Sequence, residues 1–252
     1  MLVCFDVDGV LVEVSQSYYR ALAETVSYFL NSGVDSELLL RLKFRLNLNN
    51  DWDAALAGLL FYRRGLEFED FVNRLSPGPP DFRKFYTRGA AAGIELPDYG
   101  LLVDKFEAFY RQFRSQEELN LSPQTLAEIK SVSDTMAVIT GRTREDLDYT
   151  FKTFSLYKYF DLIIAEDDLP SVETRKPSPY PLQLLFEKAD YSSPAFYIGD
   201  TLADGLMVEN FNRQDERRVF FVLYRHAHNR GVRADFYVSR EKDLLPLLKN
   251  FS

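Results

Sequence analysis

The stretch "FDVDGVLVE", residues 5–13, follows the apolar opening Met1–Phe5 and sets two carboxylates, Asp6 and Asp8, where a buried strand ends, with Gly9 directly behind them. In an extended chain residues two apart point to the same side, so Asp6 and Asp8 face one space. Their repulsion is answered in one of three ways: a cation between them, a proton on one of them, or solvent around an ordinary turn. Gly9 lets the chain turn away after Asp8.

Composition narrows the choice of function. A chain of 252 residues with 46% hydrophobic and 15% aromatic content furnishes a substantial core. The net charge of −8 argues against a nucleic-acid backbone as partner, which needs a net basic face. No apolar run approaches the ~20 residues of a spanning helix, so a membrane is not expected as partner either. The single cysteine, Cys4, lies inside the first apolar run and reads as strand packing. One cysteine gives no disulfide framework and no zinc cluster, as expected of a cytoplasmic protein. The two histidines, His226 and His228 in "RHAHNRG", have a spacing that suits a metal, but no carboxylate or cysteine lies close in sequence, and a solvated loop is the simpler reading.

After the opening strand the rhythm is helical for about a hundred residues. "SQSYYRALAETVSYFLNSG" has Ser15 as expected N-cap and Gly33 as expected stop. "DSELLLRLKFRL", "DWDAALAGLLFYRRG", "EFEDFVNRL", "DFRKFYTRGAAAG" and "LLVDKFEAFYRQF" follow, with "SPGPP" at 76–80 as a break. From about residue 118 strand and helix alternate: "SPQTLAEIKSV", "TMAVIT", "FDLIIA", "SPYPLQLLFEKA", "AFYIGD", "ADGLMVENF", "RRVFFVLY", "ADFYV" and "REKDLLPLLKNF". Ser122 and Ser178 read as caps with Pro123 and Pro179 at first helical positions. Such alternation means an α/β fold with a parallel sheet covered on both faces. The first strand belongs in that sheet, which leaves the helical block as an insertion: residues 1–14 and 118–252 form the core, residues 15–117 an all-helical domain.

Parallel sheets bind ligands beyond the carboxyl ends of their strands. Here the first strand ends in Asp6 and Asp8, "TMAVITGR" in Thr140, "FYIGDTLAD" in Asp200 with Asp204 one helical turn on, and the loop after "FDLIIAEDD" delivers Lys176. Four carboxylates round one crevice call for a hard divalent cation, and Mg²⁺ prefers such oxygen ligands together with a substrate phosphate. Thr140 and Lys176 suit that phosphate, as does the helix N-terminus after Lys176. Each position also has a plainer reading: Asp204 as a carboxylate favoured by its helix dipole, Thr140 as a strand end, Lys176 as a surface lysine.

The order Asp-x-Asp, Thr, Lys, Gly-Asp-x-x-x-Asp resembles that of the haloacid dehalogenase-like superfamily of phosphotransferases. The resemblance covers the core and implies a Rossmann-like sheet with the first strand central; the helical insertion is similar to the cap domain of many members. It implies Asp6 as the nucleophile that takes the phosphoryl group, and Asp8 as the general acid and then base. It further implies Mg²⁺ held by Asp6, the backbone carbonyl of Asp8 and Asp200, with Asp204 in support, and Thr140, Gly141 and Lys176 around the phosphoryl oxygens. The expected activity is a Mg²⁺-dependent phosphatase acting on a small phosphorylated metabolite. A phosphomutase is the nearest alternative and a non-catalytic binding module a more distant one.

Selectivity is expected to live in the insertion, hinged near residues 13–16 and 115–121. "NLNNDWDAA" offers Asn50 and Trp52 as candidate substrate contacts, against the alternative that Asn50 or Asp51 caps a helix and Trp52 packs inside the domain. Arg142 in "TGR" is a third candidate, either for substrate or for a helix-start pair with Glu145.

Overall fold

Every residue of the first strand, β1 (Leu2–Phe5), is buried, which an apolar strand achieves only when both faces of its sheet are covered. The computed structural model describes residues 1–75, 82–191 and 193–251. The remaining strands, in chain order, are β2 (Val12–Glu13), β3 (Glu118–Leu119), β4 (Thr135–Ile139), β5 (Leu162–Ile164), β6 (Ala195–Gly199), β7 (Val219–Tyr224) and β8 (Phe236–Val238). Six of them form one sheet in the order β5-β4-β1-β6-β7-β8. Every pairing in it is parallel. β1 therefore lies between β4 and β6, and all the strand ends that carry candidate residues open on one edge of the sheet. The α/β parallel sheet is the one expected from the alternation, and its Rossmann-like order with β1 inside is the one the family resemblance implied.

The chain divides into two compact units, Met1–Glu13 with Glu118–Ser252, and Val14–Glu117. In the first, one face of the sheet buries Leu2, Cys4, Ala137 and Tyr197 against Leu182 and Leu185 of one helix and Met207 and Phe211 of another. Phe5, whose side chain takes the opposite face, meets Phe160 edge-on at 6.0 Å. Beyond the strand ends, β2 and β3 pair antiparallel over two residues each. No alternation can be read in so short a run, so this pair leaves no mark on the hydrophobic pattern.

In chain order the helices of the second unit are α1 (Tyr18–Leu30), α2 (Ser36–Arg45), α3 (Asp51–Arg64), α4 (Phe68–Leu75), α5 (Phe82–Ala91) and α6 (Tyr99–Phe113). Two boundaries differ from expectation. The N-cap of α1 is Ser17, not Ser15, and its hydroxyl contacts Glu117 Oε1 at 3.2 Å instead of capping the helix. Tyr110 donates to the same buried carboxylate at 3.1 Å, so a long-range network replaces a local cap. α1 also stops before Gly33, because Asn31 adopts the left-handed conformation at φ 53°. The expected break "SPGPP" at 76–80 lies outside the described residues.

The first unit continues with α7 (Pro123–Val132), α8 (Arg144–Thr153), α9 (Tyr180–Lys188), α10 (Leu202–Gln214) and α11 (Glu241–Lys249). Ser122 caps α7 as expected, accepting from Thr125 N at 3.2 Å. α9 starts one residue later than expected, with Pro179 at its N-cap, and the Ser178 hydroxyl accepts from Tyr180 N at 3.3 Å.

Cys4 shows no exposure, and burial pushes its thiol well above the ordinary range, so the reactive thiolate is suppressed twice over. A thiol reagent is expected to leave Cys4 untouched in the native protein and to label it only as the chain unfolds. Labelling that is as fast with the folded protein as with the denatured one would show that solvent reaches the central strand.

Candidate active site

Asp6 directly follows β1, Asp200 follows β6 and Thr140 follows β4, so three neighbouring strands deliver their polar residues to one edge. Asp204 sits in the first turn of α10. One carboxylate oxygen from each of Asp6, Asp200 and Asp204 lies within 4.8 Å of the others, and all three residues are buried. Two glycines make this approach possible. At Gly9, with φ +74°, a Cβ would stand 2.3 Å from Asp200 Oδ2; at Gly199 it would stand 2.6 Å from the Asp204 side chain. The glycines of both acidic motifs are thus required by the carboxylates beside them.

Lys176 brings the compensating charge. Its Nζ lies 3.0 Å from Asp6 Oδ1 and 2.8 Å from Asp204 Oδ1. Asn210 of α10 donates to the carbonyl of Pro177 at 3.0 Å and so ties the lysine's segment to the helix that carries Asp204. Burial works against the charge on Lys176, but Asp204 and then Asp6 outweigh it and hold its pKa above the ordinary lysine range.

The two carboxylates respond differently. Burial alone would raise Asp204, yet Lys176 and the Thr201 hydrogen bonds outweigh it and hold the carboxyl below its usual range. Its Oδ2 accepts from Thr201 Oγ1 at 2.6 Å, Thr201 N at 3.0 Å and Asp200 N at 3.2 Å, while Oδ1 accepts from Tyr197 at 3.0 Å besides Lys176. Thr201 returns the favour by accepting from Asp204 N, which closes a capping box at the start of α10. Asp6 is pushed well above the carboxylate range, first by burial; Lys176 opposes this, and Asp204, Asp200 and Asp8 add to it. The site thus holds one carboxylate that stays charged and one that resists charging unless more positive charge arrives.

Asp8 lies on the turn after β1, where Val7 O accepts from the N–H groups of Val10, Leu11 and Val12. Its Oδ1 accepts from Arg142 Nε at 2.9 Å and Nη2 at 2.6 Å. Arg142 is buried and also donates through Nη1 to Thr150 Oγ1. The guanidinium therefore goes to Asp8 and Thr150, where local spacing had offered Glu145. Thr140 is buried, with Oγ1 accepting from Arg142 N at 3.1 Å, and Gly141 between them is exposed. Asn50 and Trp52 stand in the helical unit and are bonded within it: Asn50 Oδ1 caps α3 by accepting from Asp53 N at 3.1 Å, and Trp52 Nε1 donates to Glu107 at 2.9 Å.

Two residues that hold Asp200 from outside the carboxylate trio escaped the sequence reading. His226 Nε2 lies 3.1 Å from Asp200 Oδ2, and Asn229 Nδ2 donates to the Asp200 carbonyl at 2.8 Å. The loop that looked solvated for want of a nearby carboxylate meets one 26 residues earlier in the chain. The available signal was position: this loop follows β7, the neighbour of β6, and so opens on the same sheet edge.

The carboxylate trio is a set of hard oxygen donors with neither sulfur nor imidazole, which fits a cation such as Mg²⁺ better than a soft metal. A model of the haloacid dehalogenase-like hydrolases matches residues 1–212, and the chain belongs to this family. Pyrophosphatase PpaX of Bacillus cereus (strain Q1) is 27% identical over 209 residues, covering 78% of this chain and 95% of that relative. Among solved structures, phosphatase Tt82 from Thermococcus thioreducens superposes with a TM-score of 0.69 at 24% identity, covering 98% of this chain and 99% of that one. CbbY from Rhodobacter sphaeroides, in complex with phosphate, gives 0.63 at 18% identity, covering 96% and 95%. These two likenesses are of fold. Among the described residues no helix is long and apolar enough to cross a membrane.

The raised Asp6 pKa has a consequence for stability. A carboxyl that the folded state prefers to keep protonated costs stability as pH rises above its ordinary value of 3.8. With divalent metal chelated, Asp6→Asn is therefore expected to melt above the parent at neutral pH, with the gap closing as pH falls towards 4. Thermal melts of both proteins across that range check this; an Asn variant that is less stable at pH 7 would contradict the charge balance described.

Proposed function

We propose that the chain is a Mg²⁺-dependent phosphatase that hydrolyses a small phosphomonoester through an aspartyl phosphate on Asp6. The observation that carries this reading is the contact of Lys176 Nζ with Asp6 Oδ1 at 3.0 Å, beyond the end of the central strand. A buried carboxylate beside an ammonium is what a nucleophile and a group that holds the attacked phosphoryl oxygens would require, and so supports the reading. Family membership supports the reaction class.

In this reading an Asp6 oxygen attacks phosphorus, the bond from phosphorus to the ester oxygen breaks, and Asp8 gives its proton to the departing oxygen. Asp8 then takes a proton from water, which attacks phosphorus, releases orthophosphate and restores the Asp6 carboxylate. Arg142 Nε and Nη2 both donate to Asp8 Oδ1, so in this reading Oδ2 is the oxygen that exchanges the proton. Thr140, Gly141 and Lys176 hold the phosphoryl oxygens. Asp6, Asp200 and the backbone carbonyl of Asp8 would hold Mg²⁺, with Asp204 in support because both its oxygens are already engaged within the protein. When bound, the cation neutralises the carboxylates and the transferring group.

The likeness to PpaX favours a second reading of the leaving group, as phosphate from an inorganic or organic pyrophosphate. A phosphate-release panel with phosphomonoesters on one side and pyrophosphates on the other, and a mutase assay alongside, separates these. Release from monoesters above pyrophosphate supports the first reading, the reverse order the second, and no release from either contradicts both.

Asp6→Asn is expected to lose at least about a thousandfold in kcat, since the amide fills the same space and cannot attack. Retained turnover in the purified variant would sink the nucleophile assignment. Chelation is expected to silence the enzyme and Mg²⁺ to restore it, with Ca²⁺ a poor substitute because its looser coordination spoils in-line geometry. Full activity in excess chelator would contradict the metal requirement.

A further inference from the structure

Asp200 is held by two residues that the phosphatase chemistry leaves unused, His226 at its carboxylate and Asn229 at its backbone carbonyl. His226 Nδ1 accepts from the His228 backbone N–H at 3.2 Å, which leaves the ring proton on Nε2 and points it at Asp200 Oδ2, 3.1 Å away. Asn229 is buried and uses its whole amide: Nδ2 donates to the carbonyls of Asp200 and Tyr224, each at 2.8 Å, and Oδ1 accepts from His226 N at 3.0 Å. One side chain thus ties the end of β6, the end of β7 and the backbone of the histidine together. The missing Cβ of Gly9 leaves the space that Oδ2 occupies.

A carboxylate at a strand end is otherwise free to turn about its last torsion and exchange its two oxygens. We propose that His226, locked by Asn229, is a positioning residue that fixes the Asp200 carboxylate by occupying Oδ2 and so presents Oδ1 to the divalent cation. The proposal rests on Asp200 being a metal ligand, as in the preceding reading. Hydrogen bonds to ligating carboxylates commonly set metal affinity, and their loss weakens it about 10–100-fold.

The test reads Mg²⁺ alone, without substrate, by calorimetric titration of the full chain, and then the Mg²⁺ dependence of turnover. Asp200→Ala is the control for the ligand itself. The imidazole is 27% exposed, so removing it does not empty a core. His226→Leu, which keeps bulk and loses the donor, is expected to raise the Mg²⁺ midpoint about 10–100-fold while kcat and the substrate KM at saturating Mg²⁺ stay close to the parent. His226→Gln, whose amide can still donate to Oδ2, is expected to recover most of that loss. If His226→Leu fails to fold, His226→Asn, too short to reach Oδ2, replaces it with the same expectation. An unchanged Mg²⁺ midpoint in the donor-free variant beside a shifted one in Asp200→Ala overturns the brace alone. Equal losses in the Leu and Gln variants overturn it too, because the donor would then be irrelevant. An unchanged midpoint in Asp200→Ala overturns the ligand assignment, and the brace with it.

Discussion

The ammonium of Lys176, wedged 3.0 Å from Asp6 and 2.8 Å from Asp204, is the constraint on which the site depends. Without it two buried carboxylates would face each other across a dry sheet edge, and burial of unpaired charge is among the costliest things a fold can do. One ammonium does not balance the whole set. Asp204 takes the larger share, being the partner whose pKa falls, and Asp6 is left above its ordinary range with Asp200 and Asp8 close by. In the proposed mechanism that residual imbalance is what a divalent cation would relieve, leaving Lys176 available to the phosphoryl oxygens.

The scaffold serves that electrostatic arrangement. Parallel pairing of β1 with both β4 and β6 puts Asp6, Thr140 and Asp200 on adjacent strand ends without any loop having to reach across. The glycines of the two acidic motifs fit the same logic, since a methyl at Gly9 would collide with Asp200 and one at Gly199 with Asp204. Asp204 does two jobs with one side chain. It completes the capping box of α10 with Thr201 and anchors Lys176, so the helix start and the charge pair stand or fall together. Sites of this kind trade stability for function.

Much of this was legible in the chain. Four apolar runs, three ending in a polar residue and one followed by a loop that carries Lys176, make the sheet legible and single out Asp6, Asp8, Thr140, Lys176, Asp200 and Asp204. What escaped had long-range causes. Ser17 turns from its helix to Glu117, a hundred residues away, which no local capping rule can see. Arg142 reaches Asp8 across 134 residues, a contact that local helix spacing cannot show. His226 looked solvated because its carboxylate is distant in sequence and adjacent only through the pairing of β6 with β7. The β2–β3 pair is too short to leave a period. Asn50 and Trp52 have structural partners of their own, a helix N–H and Glu107, so their place in selectivity rests on kinetics with matched substrates.

The covalent step on Asp6 is the centre of this mechanism and is open to direct observation. Acid quench of the enzyme during turnover, followed by peptide mass spectrometry, reads where a phosphoryl group resides. Asp6 as nucleophile predicts one phosphoryl group on the peptide containing residues 5–13, localised to Asp6, labile to hydroxylamine as an acyl phosphate is, and absent from Asp6→Asn. Turnover with no phosphoryl group on the protein, or with the group on any other residue, would contradict it.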